Sequence, residues 1–165
     1  MWVKNITRKK QIMVKSLYLS LIASCVFFSC NNEVVYSKYQ PVQDHVWDKQ
    51  AKYSFSFEIT DSSTPYDISI QLRHSDIYPY QNLWVLFEEF QPSNAAVKDT
   101  VEWMLADNSG RWTGNGITLF QNKFLLKKNH HFPDTGTYTV NLRHGMRDDR
   151  LKGIEDIGLL VEKGK

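Results

Sequence analysis

From Lys52 onward the apolar residues of this chain recur at every second position. Tyr53, Phe55, Phe57 and Ile59 alternate with Ser54, Ser56, Glu58 and Thr60, and Tyr66, Ile68, Ile70 and Leu72 alternate with Asp67, Ser69, Gln71 and Arg73. Successive side chains of a strand point to opposite faces, so each run describes an element with one buried and one wet face. Asp61–Pro65 lies between the two runs and is made of turn residues, which makes the pair a hairpin. Asn82–Phe90 departs from the alternation. Leu83 to Phe87 are all apolar, the pattern of a strand covered on both faces or of one whose outer face meets something else.

The second half keeps the period. Val101, Trp103 and Leu105 mark one strand, Asp107-Asn108-Ser109-Gly110 a turn, and Ile117–Phe120 a strand behind Gly114 and Gly116. Tyr138, Val140 and Leu142 mark another, Ile157, Leu159 and Val161 close the series, and Val34–Tyr39 offers an edge strand at the front. No long stretch carries a helical stripe. Such a run of short strands, about seven to nine with turns every 8–12 residues or so, predicts an all-β antiparallel β-sandwich, either immunoglobulin-like or jelly-roll. Its expected core contains Phe55, Phe57, Ile68, Ile70, Leu72, Val85, Tyr138, Val140 and Leu159.

Ahead of this region lies Leu17–Cys30, an apolar run ending in Phe28-Ser29-Cys30 and preceded by Lys4, Arg8, Lys9, Lys10 and Lys15 without an acid. Ser16–Phe28 is about 13 residues, short of the roughly 20 that cross a bilayer as a helix. A basic head, a short apolar stretch and a small residue before cysteine are the marks of a bacterial lipoprotein signal. Residues 1–29 are therefore expected to be a signal peptide, and residues 30–165 a single domain on a short tether. The lipidation site is expected at Cys30, with Cys25 as the alternative behind Ile22-Ala23-Ser24. Cleavage at Cys25 would leave Val26-Phe27-Phe28 in the tether, which favours Cys30. Acyl chains there would hold the protein to a membrane of the cell envelope, expected to be the outer membrane.

The signal also distorts the charge balance. The chain has 20 Lys+Arg and 18 Asp+Glu, but five of those bases and none of the acids precede Cys30, leaving 15 against 18. A slightly acidic domain gives no electrostatic reason to bind nucleic acid. With Cys25 removed and Cys30 acylated, no thiol remains for a disulfide, a nucleophile or a metal.

Catalytic patterns are missing as well. Glu88 and Glu89 are neighbours on a strand and point to opposite faces, so they cannot flank one glycosidic bond; a solvated strand end is the expectation. His130 and His131 diverge in the same way and have no further ligand at metal spacing. His74-Ser75-Asp76 has the letters of a triad, yet adjacent residues cannot hydrogen-bond in series. Asp107–Gly110 lacks the remaining ligands of a calcium loop. No enzyme, metal or cofactor is expected.

Several short motifs recur in an order that carries a resemblance. They are Val35-Tyr36 with Tyr39, Ile70-Gln71-Leu72-Arg73, Tyr78-Pro79-Tyr80 with Asn82-Leu83, and Leu105-Ala106-Asp107 with Gly110-Arg111-Trp112. Gly136-Thr137-Tyr138, His144-Gly145-Met146-Arg147 and Gly153–Gly158 follow. In order and spacing over Val35–Lys163 the chain resembles the GldH gliding-motility lipoproteins of Bacteroidetes. That resemblance implies a small envelope lipoprotein belonging to the gliding machinery, linked genetically to type IX secretion, without catalytic residues to carry over. Its partners would be other envelope, motility or secretion proteins.

A different class of function is a glycan-binding module, with Trp84, Trp103, Trp112, Tyr78 and Tyr80 as an aromatic platform; core packing is the plainer use of these rings. The nominated partner surface is Ile77, Tyr78 and Tyr80 on the His74–Gln81 loop. Pro79 stiffens that loop, so rigid aromatics would be presented with little entropy to lose. Alternatively the tyrosines fold back as a lid on the end of the sandwich.

Overall fold

The computed structural model describes residues 33–164, and within them the chain is built almost wholly of antiparallel strands. The expected signal, Cys25 and Cys30 lie outside the described residues. Ten strands follow in order: β1 (Val34–Pro41), β2 (Val46–Asp48), β3 (Tyr53–Ile59), β4 (Tyr66–Ser75), β5 (Asn82–Phe90), β6 (Ala96–Met104), β7 (Leu119–His130), β8 (Gly136–His144), β9 (Arg150–Lys152) and β10 (Ile154–Lys163). One 3-10 turn, Gln43–His45, precedes β2.

The pairing is a nest. β5 pairs with β6, β4 with β7, β3 with β8, β2 with β9 and β1 with β10, all antiparallel, as if one long hairpin had been folded at the β5–β6 turn. That hairpin is then rolled, so that β4 also meets β10 and β5 also meets β8. The result is two four-stranded sheets, β1-β10-β4-β7 and β3-β8-β5-β6, with β2 and β9 as a small clip. A long hairpin rolled into two sheets is the jelly-roll arrangement. Strand order therefore decides between the two topologies that periodicity leaves open.

Between the sheets the alternation produces the expected core. Phe55, Phe57, Ile68, Ile70, Leu72, Val85, Tyr138, Val140 and Leu159 are all buried. Phe57 stacks on Tyr138, and Phe132 packs against Tyr66, Phe57 and Tyr138 at the end of the sandwich where β1 begins. Burying each of these large rings contributes roughly 2–3 kcal/mol from transfer alone.

The strands number ten, above the expected seven to nine, because β2 and β9 are only three residues long and carry no periodic signal. β4 runs through His74 and Ser75, which the sequence assigns to the following loop; His74 is an inward position and fully buried. β7 extends far beyond Phe120. Its register against β4 shifts twice, between the partners of Tyr66 and Ile68 and of Ile68 and Ser69, and such bulges erase the period-two pattern.

Glu89 corrects the expectation of a solvated strand end. Glu88 and Glu89 do point to opposite faces, but Glu89 is the inward one and is completely buried, with Lys127 Nζ of β7 at 3.0 Å from Oε2. A charge this deep persists only with a partner.

Candidate functional site

The apolar run of β5 divides cleanly. Leu83, Val85 and Phe87 face inward and are at most 2% exposed, whereas Trp84 and Leu86 face out and are 38% and 42% exposed. Among the described residues the outer face is uncovered, which excludes the reading of a strand covered on both faces. Strand alternation leaves two large apolar side chains in the middle of a sheet that nothing within the described residues covers.

Gly145, just after β8, shapes the surface between them. Its N–H donates to Trp84 C=O at 2.7 Å, and the Trp84 N–H donates to Met146 Sδ at 3.3 Å, so the segment is laced to β5. A Cβ at Gly145 would meet Trp84 Cβ at 3.4 Å and Leu86 Cδ2 at 3.5 Å, an ordinary contact distance. Glycine thus leaves a hollow that alanine would fill without strain.

Two grooves flank the strip. One of about 680 Å³ runs past Leu86 and is bordered by Glu88, Lys98, Thr100, Asn141 and Arg143. In it Lys98 Nζ lies 2.6 Å from Glu88 Oε1, and this ammonium holds the Glu88 carboxyl below its usual range. The other, about 410 Å³, lies between Trp84, Tyr80, Met146, Arg147 and Asp148. Apolar rings ringed by separate charges of both signs suit a protein contact more than a reaction.

The loop before β5 supplies one wall of the second groove. Tyr80 is half-buried and its hydroxyl donates to the Asp148 carboxylate, which pushes the phenol pKa up. Ile77 is 64% exposed. Tyr78 is 2% exposed: its ring packs on His74, Trp112 and Tyr80, and its hydroxyl donates to Asn82 C=O at 2.9 Å. Of the nominated trio, then, Ile77 and Tyr80 reach the surface while Tyr78 is the lid on the core. Gly153 explains the fold-back, since with φ +81° it brings the β9–β10 turn so close that a Cβ there would sit 2.7 Å from Tyr78 N. That glycine is the sequence signal that points to a buried Tyr78.

The five aromatics of the glycan reading separate in the same way. Trp103 is buried, stacked on Phe124 with centroids 4.6 Å apart, and Trp112 packs on His74 and Phe120. Only Trp84 and Tyr80 face the groove, too few for a platform of rings.

Buried titratable groups lie elsewhere, in the interior. His74 and His144 are shut off from solvent, and burial lowers the pKa of each. His130 is half-buried against Phe132; burial and the Lys127 ammonium lower it too, with Glu89 opposing. Asp107 accepts from the Ser109 hydroxyl and from the Ser109 and Arg111 N–H groups, holding its carboxyl at about 2; its oxygens are used up within its own turn. Among the described residues no three His, Cys, Asp or Glu side chains are grouped to hold a metal. No described helix is long and apolar enough to cross a membrane.

Fold and surface together define a small jelly-roll β-sandwich whose exposed chemistry is an apolar strip with charged borders. The chain belongs to the GldH lipoprotein family, whose model matches residues 34–161. It is 30% identical over 156 residues to the gliding motility lipoprotein GldH homolog of Christiangramia forsetii, covering 90% of this chain and 95% of the relative. It is 28% identical over 158 residues to the gliding motility lipoprotein GldH of Flavobacterium johnsoniae, covering 91% and 98%. Among solved structures, the VP2 subviral particle of infectious bursal disease virus aligns with a TM-score of 0.37 and 12% identity, over 78% of this chain and 32% of that one. So low a score carries no weight here.

Proposed function

We propose that this chain is a non-catalytic, lipid-anchored component of the gliding-motility machinery in the cell envelope. Membership of the GldH lipoprotein family across nearly the whole sandwich is the observation that carries the reading. In this account residues 1–29 direct export, Cys30 bears the acyl chains, with Cys25 the alternative, and the domain sits at the outer membrane. Its work is to hold other envelope proteins of the motility and type IX secretion apparatus, through the Trp84–Leu86 strip and the rim formed by Ile77 and Tyr80. An open apolar strip with charged borders suits recognition of a protein.

Each buried methylene of an acyl chain adds about 0.8 kcal/mol to membrane binding, so two or three chains make a durable anchor. Complementation tests the proposal. In a gliding strain deleted for its own family member, the chain should restore colony spreading and incorporate labelled palmitate, and Cys30→Ser should lose both. Palmitate incorporation that survives Cys30→Ser and is lost in Cys25→Ser would move the anchor. Full spreading by a non-acylated chain would overturn the anchored reading.

A further inference from the structure

Four strands form the edges of the two sheets, and two of them are blunted by bulges. β1 carries a bulge between Val34 and Tyr36, and β7 carries two. β3 has its Ser54 carbonyl taken by the Gln40 side-chain amide at 2.6 Å. β6 is different. Its nine residues pair with β5 without a register shift, and no described strand pairs with its other side. A long, regular, unpaired edge is a template for another strand.

The register of that edge can be read. Leu105 N–H donates toward β5, to Gln81 C=O at 2.7 Å, and main-chain groups alternate along a strand. The N–H and C=O groups of Lys98, Thr100 and Glu102 therefore point away from β5, to the free side. Of these N–H groups Thr100 alone has a local acceptor, the Asp99 carboxylate at 2.7 Å.

The sequence of β6, Ala96-Val97-Lys98-Asp99-Thr100-Val101-Glu102-Trp103-Met104, is complementary to itself about Thr100. Reversed on that residue, Lys98 falls opposite Glu102, Thr100 opposite Thr100, Val97 opposite Trp103 and Ala96 opposite Met104. Only Asp99 opposite Val101 is mismatched. Lys98, Thr100 and Glu102 share the outer face, so two opposite-charge pairs flank a threonine pair, each a favourable cross-strand combination. Val97, 40% exposed at a position that strand alternation turns inward, would gain the covering that β7 does not give it.

We propose that β6 pairs antiparallel with β6 of a second copy of this chain, in register on Thr100, fusing two four-stranded sheets into one of eight. The twofold axis stands perpendicular to the sheet and keeps the two Trp84–Leu86 strips on the same side. It also sets the starts of both β1 strands at one height along that axis, as two chains anchored in the same membrane require. Confinement to a membrane raises the effective concentration, so a modest interface suffices.

Full-length chain in isolated envelopes tests this. Thr100→Cys should give an oxidation-dependent dimer on non-reducing gels. In that background Lys98→Glu alone and Glu102→Lys alone should each reduce the dimer about tenfold, the double exchange should restore it, and co-expression of the two single variants should give the mixed dimer. Unchanged melting temperatures would confirm that folding is not the cause. Cross-linking that ignores the charge changes, or a product with the mass of a different protein, would overturn self-pairing. Because the readout is dimer and not spreading, failure here leaves the motility reading separately testable.

Discussion

Phe57 shows how much rests on one side chain in this sandwich. It is 4% exposed, meets Tyr36, Phe132 and Tyr138, and belongs to the run that first announces a strand. Phe57→Ala should cost about 3–5 kcal/mol in urea unfolding, a large part of the stability of a domain this size. Glu89 and Lys127 make a different kind of demand. Lys127→Met leaves the Glu89 carboxylate buried without its cation and should cost about 3–5 kcal/mol, whereas adding Glu89→Gln should recover most of that loss. A single-variant cost below roughly 1 kcal/mol would show that water, not Lys127, solvates the carboxylate. The three histidines set the response to acid. In each the folded pKa lies below the ordinary value of about 6.5, so below that pH the unfolded chain binds more protons than the folded one. Stability should be level above about pH 7 and fall as pH drops from about 6.5 toward the lower folded values. Unfolding midpoints that rise on going from pH 7.5 to pH 5.5 would contradict this.

At the scale of the element, β3, β4, β8 and β10 were legible because each keeps one clean apolar face over five residues or more. β7 was not, since its bulges break the alternation, and β2 and β9 are too short to show a period. The continuous run in β5 could be read only as a choice, because whether an outer face is covered is decided by residues far away in sequence. The loop at Ile77–Tyr80 illustrates the same limit. Pro79 was expected to stiffen it, but which tyrosine turns inward depends on the close approach of Gly153, about 75 residues on. Tyr78→Ala and Tyr80→Ala should therefore separate. The first removes a ring that packs on His74 and should lower the melting temperature by roughly 5 °C or more; the second should move it by no more than a degree or two.

For the whole molecule, the nested pairing places the chain ends together: Val34 lies opposite Glu162, and Lys163 N–H donates to Glu33 C=O at 2.8 Å. Contacts between residues more than a hundred positions apart imply slow, non-local folding. In sequence, the proposed anchor at Cys30 precedes β1 by only Asn31 to Glu33. The Trp84–Leu86 strip lies in the other sheet, on its exposed face. Recovery of envelope proteins on the affinity-tagged chain, compared with the Trp84→Ala, Leu86→Glu double variant, measures this claim directly. Both side chains are exposed on the outer face, so the variant should keep its melting temperature and membrane retention while losing the partners and colony spreading. A variant that retains its full set of partners and spreads normally would contradict the assignment of function to this face.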